Sequence, residues 1–479
     1  MPEAAQQLVH APLAQWAAQR GGQVAIDDGH ETLSFAQLHE ETQRIARELD
    51  AAGAPATVWA PAGLSTLRSL TQFLGIVASG RCAAVGDAQW PPATRAAAQA
   101  LLPEASAHGA GAAGPLSPFY VGFTSGSTGV PKGFRRHHLS WVESFRACLD
   151  AFGPDAAACV LAPGAISHSL FLFGMMLGLW SGGGVRVQEK FSAARALGTM
   201  RDGHAPCMVA VPSQLLMMLE LAERRALAPI AEVRLILISG ARWMRERTPQ
   251  LKALFPQARV VEFYGASETS FVAWMDADEA APANAVGRPF AGVEVDIRRR
   301  DAADEAGLIY VRSPMLFSDY VGGANDGTAA LRDGEWLSVR DMGHLDAQGR
   351  LCLLGRENRM VVTLGKNLFP EEVETVLAAY PGVASVSVQG APDPVRGQQV
   401  LAIVRPHAAG SDAGLNATAL GAWCRERLEA FKLPRRYLVC EAWPLTPGGK
   451  TDHAALARAL AAHLGGHGHE ASPCLRPLP

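Results

Sequence analysis

A chain of 479 residues with a formal net charge of −3 has room for about three ordinary domains, or one large and one small. It carries no basic footprint for nucleic acid. Hydrophobic residues at 48% and charged residues at 19% exclude a disordered composition, and eight cysteines without C-x-x-C spacing read as reduced core or incidental thiols.

The start, "MPEAAQQLVHAPLAQWAAQR", lacks a basic region followed by an apolar run, which predicts a cytoplasmic protein. In "LSFAQLHEETQRIARELDAAG", Leu38, Ile45, Ala46 and Leu49 fall at helical spacing. The stretches "TVWAPA", "VRLILIS" and "ARVVEFYG" read as buried strands between such helices, and this alternation predicts an α/β fold. Residues 103–118, rich in Gly, Ala, Ser and Pro, read as a surface connection. "FYVGF" then reads as a strand. The cluster Arg135, Arg136, His137 and His138 reads as a solvated edge. Ala156 to Val185 holds no charged residue, but its apolar block "LFLFGMMLGLW" falls short of the ~20 residues of a membrane span, so a buried helix is predicted. Composition changes again near Arg356. Beyond it, "VETVLAAYPGVASVSVQG" reads as helix, turn and strand and "LGAWCRERLEAF" as an amphipathic helix, enough for a separate small α+β domain. The tail from Gly465 reads as frayed.

The stretch most informative about chemistry is "TSGSTGVPKG", residues 124–133. A kinase-type phosphate loop needs four residues between its glycines and then Gly-Lys-Ser/Thr. Here Gly126 and Gly129 are three apart, Pro131 precedes Lys132 and Gly133 follows it, so that reading fails. Glycines still let backbone amides approach phosphate oxygens, and Thr124, Ser125, Ser127 and Thr128 add hydroxyl donors. Taken alone, the stretch leaves a flexible linker open as the alternative.

Five further motifs follow in order: "EFYGASET" (262–269), "VGRP" (286–289), "WLSVRDMGHLDAQGRLCLLGRENRM" (336–360), "LGKNLFPEEVE" (364–374) and "PLTPGGKTDHAAL" (444–456). With the opening stretch, they resemble the adenylate-forming superfamily of acyl-CoA synthetases, peptide-synthetase adenylation domains and luciferase. The resemblance runs from Thr32 to Leu456 and is closest in type to AMP-dependent acyl-CoA synthetases. It implies a large N-terminal domain of layered sheets and helices, residues 1–355, and a small mobile C-terminal α+β lid, residues 356–479. The implied activity converts a carboxylic acid and ATP to an acyl-adenylate and passes the acyl group to the thiol of coenzyme A, with magnesium as cofactor.

By the same resemblance, Thr124, Ser125, Gly126, Ser127, Thr128, Gly129 and Lys132 would hold the β- and γ-phosphates. Tyr264 would lie against the adenine with Gly265 also in the nucleotide site, Ser267 would bind the α-phosphate and Glu268 would ligate magnesium. Asp341 and Arg356 would hold the ribose, and Lys450 would be the catalytic lysine, also touching the nucleotide. His168 would gate the carboxylate beside Gly240 and Ala241, with Trp141, Ser144 and Phe145 lining the acid pocket. Asn358 would be the hinge and Gly365 would line the thiol channel.

Five positions depart from the family pattern: Val339-Arg340 stands for the usual Thr-Gly, Asn358 for Asp or Lys, Arg359 for an acid, and Leu308 for a glutamate. Three rivals stay open. The acceptor thiol could belong to a carrier protein, the chain could be a non-catalytic nucleotide-binding protein, or it could have kinase-type or sulfate-activating chemistry, for which no motif speaks. "GAISHSLFLFG" carries no acid to meet an α-amino group, which argues against an amino acid as substrate.

Overall fold

The computed structural model describes residues 7–102, 113–124, 131–301, 304–322, 328, 331–364, 366–407, 415–446, 450–465 and 475–479. The chain forms two compact units. One comprises Met1–Asp296, Tyr310–Val339 and Leu345–Leu351; the other comprises Ile297–Ile309, Arg340–His344 and Cys352–Pro479.

In the first unit, strands Val24–Asp27, Val185–Val187, Val160–Ala162, Cys207–Ala210, Leu235–Ile238 and Arg259–Ala266 lie side by side in that order, all parallel. Thr32–Ser34 adds antiparallel at one edge, and Ser270–Asp276 then Ala285–Pro289 at the other. "CMVA" and "LILI" are buried at every residue, as a parallel sheet covered on both faces requires. A second sheet joins Thr57–Trp59, Cys82–Ala84, Pro118–Thr124, Lys132–His137 and Asp319–Tyr320.

The helices follow the apolar spacing. Phe35–Ala51 buries Phe35, Leu38, Ile45 and Ala46, and starts at a capping box in which Ser34 and Gln37 each accept from the other's amide. Ser169–Ser181 buries Phe171 through Leu179 on all sides, which explains a charge-free segment without invoking lipid. No helix among the described residues is long and apolar enough to cross a membrane.

Arg136 and His138 are each only 1% exposed, so the basic cluster is not the solvated edge its charge suggests. Strand alternation from Phe134 turns Arg136 inward, and His138 opens the buried helix His138–Phe152. The His138 ring lies 5.6 Å from that of His10 and accepts from the Val9 amide at 3.3 Å. Burial pushes His10 from 6.5 down to about 4, and burial with its neighbours His10 and His137 pushes His138 down to about 3. Both rings are therefore neutral in the fold, and the unfolded chain takes up their protons first as pH drops. Their contribution is complete above pH 6.5 and is lost as pH falls toward 4 for His10 and toward 3 for His138. By pH 5 the loss should be on the order of 2 kcal/mol per ring. Thermal melts between pH 7 and 4.5 test this; a constant midpoint would mean that the rings titrate inside the fold as they do in solution.

The second unit is built on strand Gly397–Pro406, flanked antiparallel by Val383–Asp393 and parallel by Arg436–Cys440. Val400, Ala402 and Val404 pack with Val373, Leu377 and Leu420 of helices Pro370–Ala378 and Ala417–Arg425. Leu401 and Ile403 pack on the opposite face with Leu456 and Leu460 of helix His453–Leu464. Of the tail read as frayed, residues 466–474 lie outside the described residues, while 475–479 are ordered. Leu475–Pro477 pairs with Arg436–Cys440, and the Ala417 amide donates to the Pro479 carbonyl at 2.7 Å. Leu475 and Leu478, both buried, tie this end down despite the glycines and histidines before them.

Candidate active site

In the first unit, three groups of candidate residues sit where parallel strands end: His168 beyond Val160–Ala162, Gly240 and Ala241 beyond Leu235–Ile238, and Tyr264 to Glu268 at the close of Arg259–Ala266. The carboxyl edge of an open parallel sheet is where such folds form their ligand crevices, because the loops of adjacent strands converge there. Hydrogen bonds hold these loops together. Ser239 Oγ donates to the Phe263 carbonyl at 3.0 Å, and the Trp243 amide donates to Glu262 Oε1 at 3.1 Å. Gly240 has φ +86°, a left-handed turn that glycine adopts without strain.

Ser169 Oγ and Ser267 Oγ are 3.1 Å apart. Ser169 opens the helix Ser169–Ser181 and His168 precedes it, its ring 5.0 Å from that of Phe171. Two candidates nearly a hundred residues apart in sequence thus belong to one junction. Trp141 and Phe145 are buried in an aromatic cluster with Phe173, while the Ser144 hydroxyl bonds that of Ser270 at 2.6 Å.

The phosphate-loop candidate hangs on a hairpin. Strands Pro118–Thr124 and Lys132–His137 pair antiparallel with Thr124 opposite Lys132. Ser125, Gly126, Ser127, Thr128 and Gly129 lie outside the described residues. Lys132 places its Nζ 4.9 Å from the centre of the Tyr320 ring, a cation–π contact. The Tyr320 hydroxyl in turn donates to Glu268 Oε1 at 2.6 Å. Tyr320 is held there by strand Asp319–Tyr320, which pairs with Lys132–His137, and by a bidentate bond from Arg135 to Asp319 at 2.8 and 2.7 Å. A Cβ on Gly133 would stand 2.3 Å from Val321 Cγ2, so glycine there permits this strand to approach.

Glu268 is 9% exposed. Its backbone carbonyl accepts from the Phe317 amide at 2.8 Å and from Arg136 Nη1 at 3.3 Å. Burial pushes the Arg136 guanidinium down to about 9, while Glu268 and Tyr120 favour its charge. Motif reading missed both Tyr320 and Arg136. For Arg136 the signal was the period-two alternation; for Tyr320 no local spacing announces a partner of Glu268.

In the second unit, Asp341 is 8% exposed and accepts from Arg356 Nε at 3.1 Å. The two residues open and close strands Asp341–Leu345 and Leu351–Arg356. Arg340, at the position where the family pattern has glycine, keeps the left-handed backbone with φ +65°, which costs a non-glycine residue about 1–2 kcal/mol. It is ion-paired with Glu357. Leu308 pairs with Met342 across strand Gly307–Arg312. Asn358 is exposed in the short turn Glu357–Arg359. Lys450 is exposed, and its turn is closed by two bonds, Lys450 N to Thr446 Oγ1 at 3.2 Å and Thr446 N to the Lys450 carbonyl at 2.7 Å. Gly365 lies outside the described residues, between the paired ends Thr363 and Lys366.

Residues 70–321 match the AMP-binding enzyme family and residues 372–450 match the AMP-binding enzyme C-terminal domain. The chain belongs to the AMP-binding enzyme family, within the adenylate-forming superfamily. An uncharacterized acyl-CoA ligase of Bacillus subtilis, YhfT, is 38% identical over 369 residues, which cover 76% of this chain and 73% of that one. The 2-succinylbenzoate–CoA ligase of Arabidopsis thaliana is 29% identical over 382 residues, 71% of this chain and 67% of its own. Among solved structures, the o-succinylbenzoate CoA synthetase of Bacillus subtilis with its acyl-adenylate intermediate superposes with a TM-score of 0.79 at 21% identity, over 93% of this chain and 97% of that one. ATP-bound MatB of Rhodopseudomonas palustris gives 0.78 at 21% identity, over 95% and 98%. At that identity the likeness speaks for the fold.

Proposed function

We propose that this protein is an AMP-forming acid–thiol ligase that activates a carboxylic acid with ATP and transfers the acyl group to coenzyme A. The observation that carries the reading is the linked set Lys132, Tyr320 and Glu268, placed beside Ser267 and the His168 loop. It offers a cation, an acid and hydroxyls linked by short contacts, the inventory needed to bind a polyphosphate next to a carboxylate. The acyl-CoA ligase relatives supply the acceptor.

In this mechanism the loop Thr124 to Lys132 holds the β- and γ-phosphates, and Ser267 donates to the α-phosphate as the carboxylate attacks. Tyr264 packs against the adenine, Asp341 accepts the ribose hydroxyls and Arg356 reaches the same sugar. The residues fit magnesium. Glu268 Oε1 holds the Tyr320 hydroxyl, leaving a hard carboxylate oxygen, and among the described residues no group of three or more His, Cys, Asp or Glu could hold a metal. One protein carboxylate, with phosphate and water completing the shell, is how this ion is ordinarily bound in phosphoryl sites. The ion would neutralise phosphate charge. His168, Gly240 and Ala241 would border the acid. The region after Asn358 would act as a mobile lid, bringing Lys450 to the adenylation step and Gly365 to the incoming thiol. A cytoplasmic location would supply both ATP and coenzyme A.

The test is acid-dependent pyrophosphate release across fatty, aryl and hydroxy acids, with and without coenzyme A. The expected result is release with at least one acid and formation of its CoA thioester. Pyrophosphate release without thioester, restored by a phosphopantetheinylated carrier, would reassign the acceptor. ATP binding with no release for any acid would overturn the reading in favour of a nucleotide-binding protein.

A further inference from the structure

Within the second unit, exposed Asn358 stands between two arginine–carboxylate clamps, one made by Glu357 before it and one by Arg359 after it. Upstream, Glu357 keeps its side chain 11% exposed and accepts from Arg300 Nη2 at 2.5 Å. It also pairs with Arg340, and its amide donates to the Arg340 carbonyl at 3.0 Å. Glu357 is thus bound through both side chain and backbone to the residue that precedes Asp341. Downstream, Arg359 bonds Glu371 at 2.7 Å and Glu374 at 2.5 Å, both on helix Pro370–Ala378. It also donates to the Val388 carbonyl at 3.3 Å. Burial works against the Arg359 charge, yet the two carboxylates keep its pKa above the ordinary value.

These two clamps make sense of two departures from the family pattern together. Arg340 occupies a glycine-like backbone position, and its side chain there gains a mostly buried carboxylate. Arg359 replaces an acid where helix Pro370–Ala378 already presents two. A planar guanidinium binding two carboxylates fixes orientation as well as distance.

We propose that Glu357 and Arg359 are positioning residues that confine reorientation of the C-terminal module to the backbone of Asn358. Glu357 fixes the pivot to the segment carrying Asp341, and Arg359 fixes it to helix Pro370–Ala378. This inference rests on the reading that adenylation and thioester formation use different orientations of that module. Rigid attachment on both sides of one residue turns a flexible connection into a hinge with a defined axis. Loosening either side should therefore alter the balance between orientations rather than disable one chemical group.

The full chain carrying Glu357→Gln or Arg359→Met tests this against the wild type. Each variant should change the ratio of acid-dependent pyrophosphate release to thioester formation from supplied acyl-adenylate, by roughly threefold to tenfold. Glu357→Gln should also raise the KM for ATP, through Asp341, whereas Arg359→Met should leave it unchanged and Arg359→Lys should recover part of the ratio. Hydrogen exchange provides a readout independent of activity. Amides of 356–358 should exchange about tenfold faster in Glu357→Gln, and those of 359–362 in Arg359→Met. Equal slowing of both half-reactions, or exchange rising throughout the unit, would overturn the clamps and leave only a structural role. A wild type without acid-dependent pyrophosphate release would refute the proposed function instead, while exchange would still decide the clamps.

Discussion

Lys450→Ala is expected to lose most acid-dependent pyrophosphate release while still converting a supplied acyl-adenylate to its thioester at near the wild-type rate. The lysine is exposed and extends from a turn that Thr446 closes from both sides, so removing its side chain should disturb no packed core. An ammonium delivered to the carboxylate and α-phosphate stabilises charge that develops as the new bond forms. Losing one such preorganised donor costs on the order of 10²- to 10³-fold in rate, about 3–4 kcal/mol. Thioester formation develops its charge at a carbonyl attacked by a thiol and, in the proposed scheme, would draw on the other orientation of the module, so it should be spared. Rapid-quench measurement of the two half-reactions separately makes the comparison. Equal slowing of both would make Lys450 structural and would remove the two-orientation scheme.

Much of this was legible in sequence because it depends on local chemistry. A glycine and hydroxyl loop between strands, a charge-free apolar helix and the order of six motifs are all properties of short segments. Helix Ser169–Ser181, strand Leu235–Ile238 and strand Arg259–Ala266 came from apolar runs alone. What escaped depends on distant pairing. Tyr320 reaches Glu268 across 52 residues, and only the pairing of Asp319–Tyr320 with Lys132–His137 makes them neighbours. The buried Arg136 was obscured by its own charge, since a guanidinium ordinarily forbids an interior reading. Arg340 and Arg359 looked like departures without cause until Glu357, Glu371 and Glu374 stood beside them. At such positions the residue type answers to a partner elsewhere in the chain, and no local rule can supply it.

Gly265→Ala should damage both stability and adenylation, for a reason visible in the backbone. A Cβ at this position would lie 1.8 Å from the Ser270 carbonyl oxygen and 2.9 Å from its carbon. The obstacle is main chain, so no side-chain rotation relieves it. Nor is the opposing strand free to retreat. Gly265 pairs with Phe271 and Ala266 with Ser270 next to a bulge, Ser270 is already left-handed with φ +58°, and Thr269 Oγ1 accepts from the Ala266 amide at 3.0 Å. This turn carries Ser267 and Glu268, so whichever strand yields, the residues proposed to bind the α-phosphate and magnesium would move with it. Forced overpacking of this kind costs about 1–3 kcal/mol, and a displacement near 1 Å at reacting groups costs on the order of 10²-fold in rate. Gly198→Ala is the control. It sits in helix Ala193–Arg201 with nothing within 4 Å of the added carbon, and should be neutral or stabilising by up to about 1 kcal/mol. Urea melts and pyrophosphate release at saturating ATP and acid compare the two variants. Near-wild-type adenylation by Gly265→Ala would mean that strand Ser270–Asp276 can shift without carrying Ser267 and Glu268, and neither residue could then be acting from this turn.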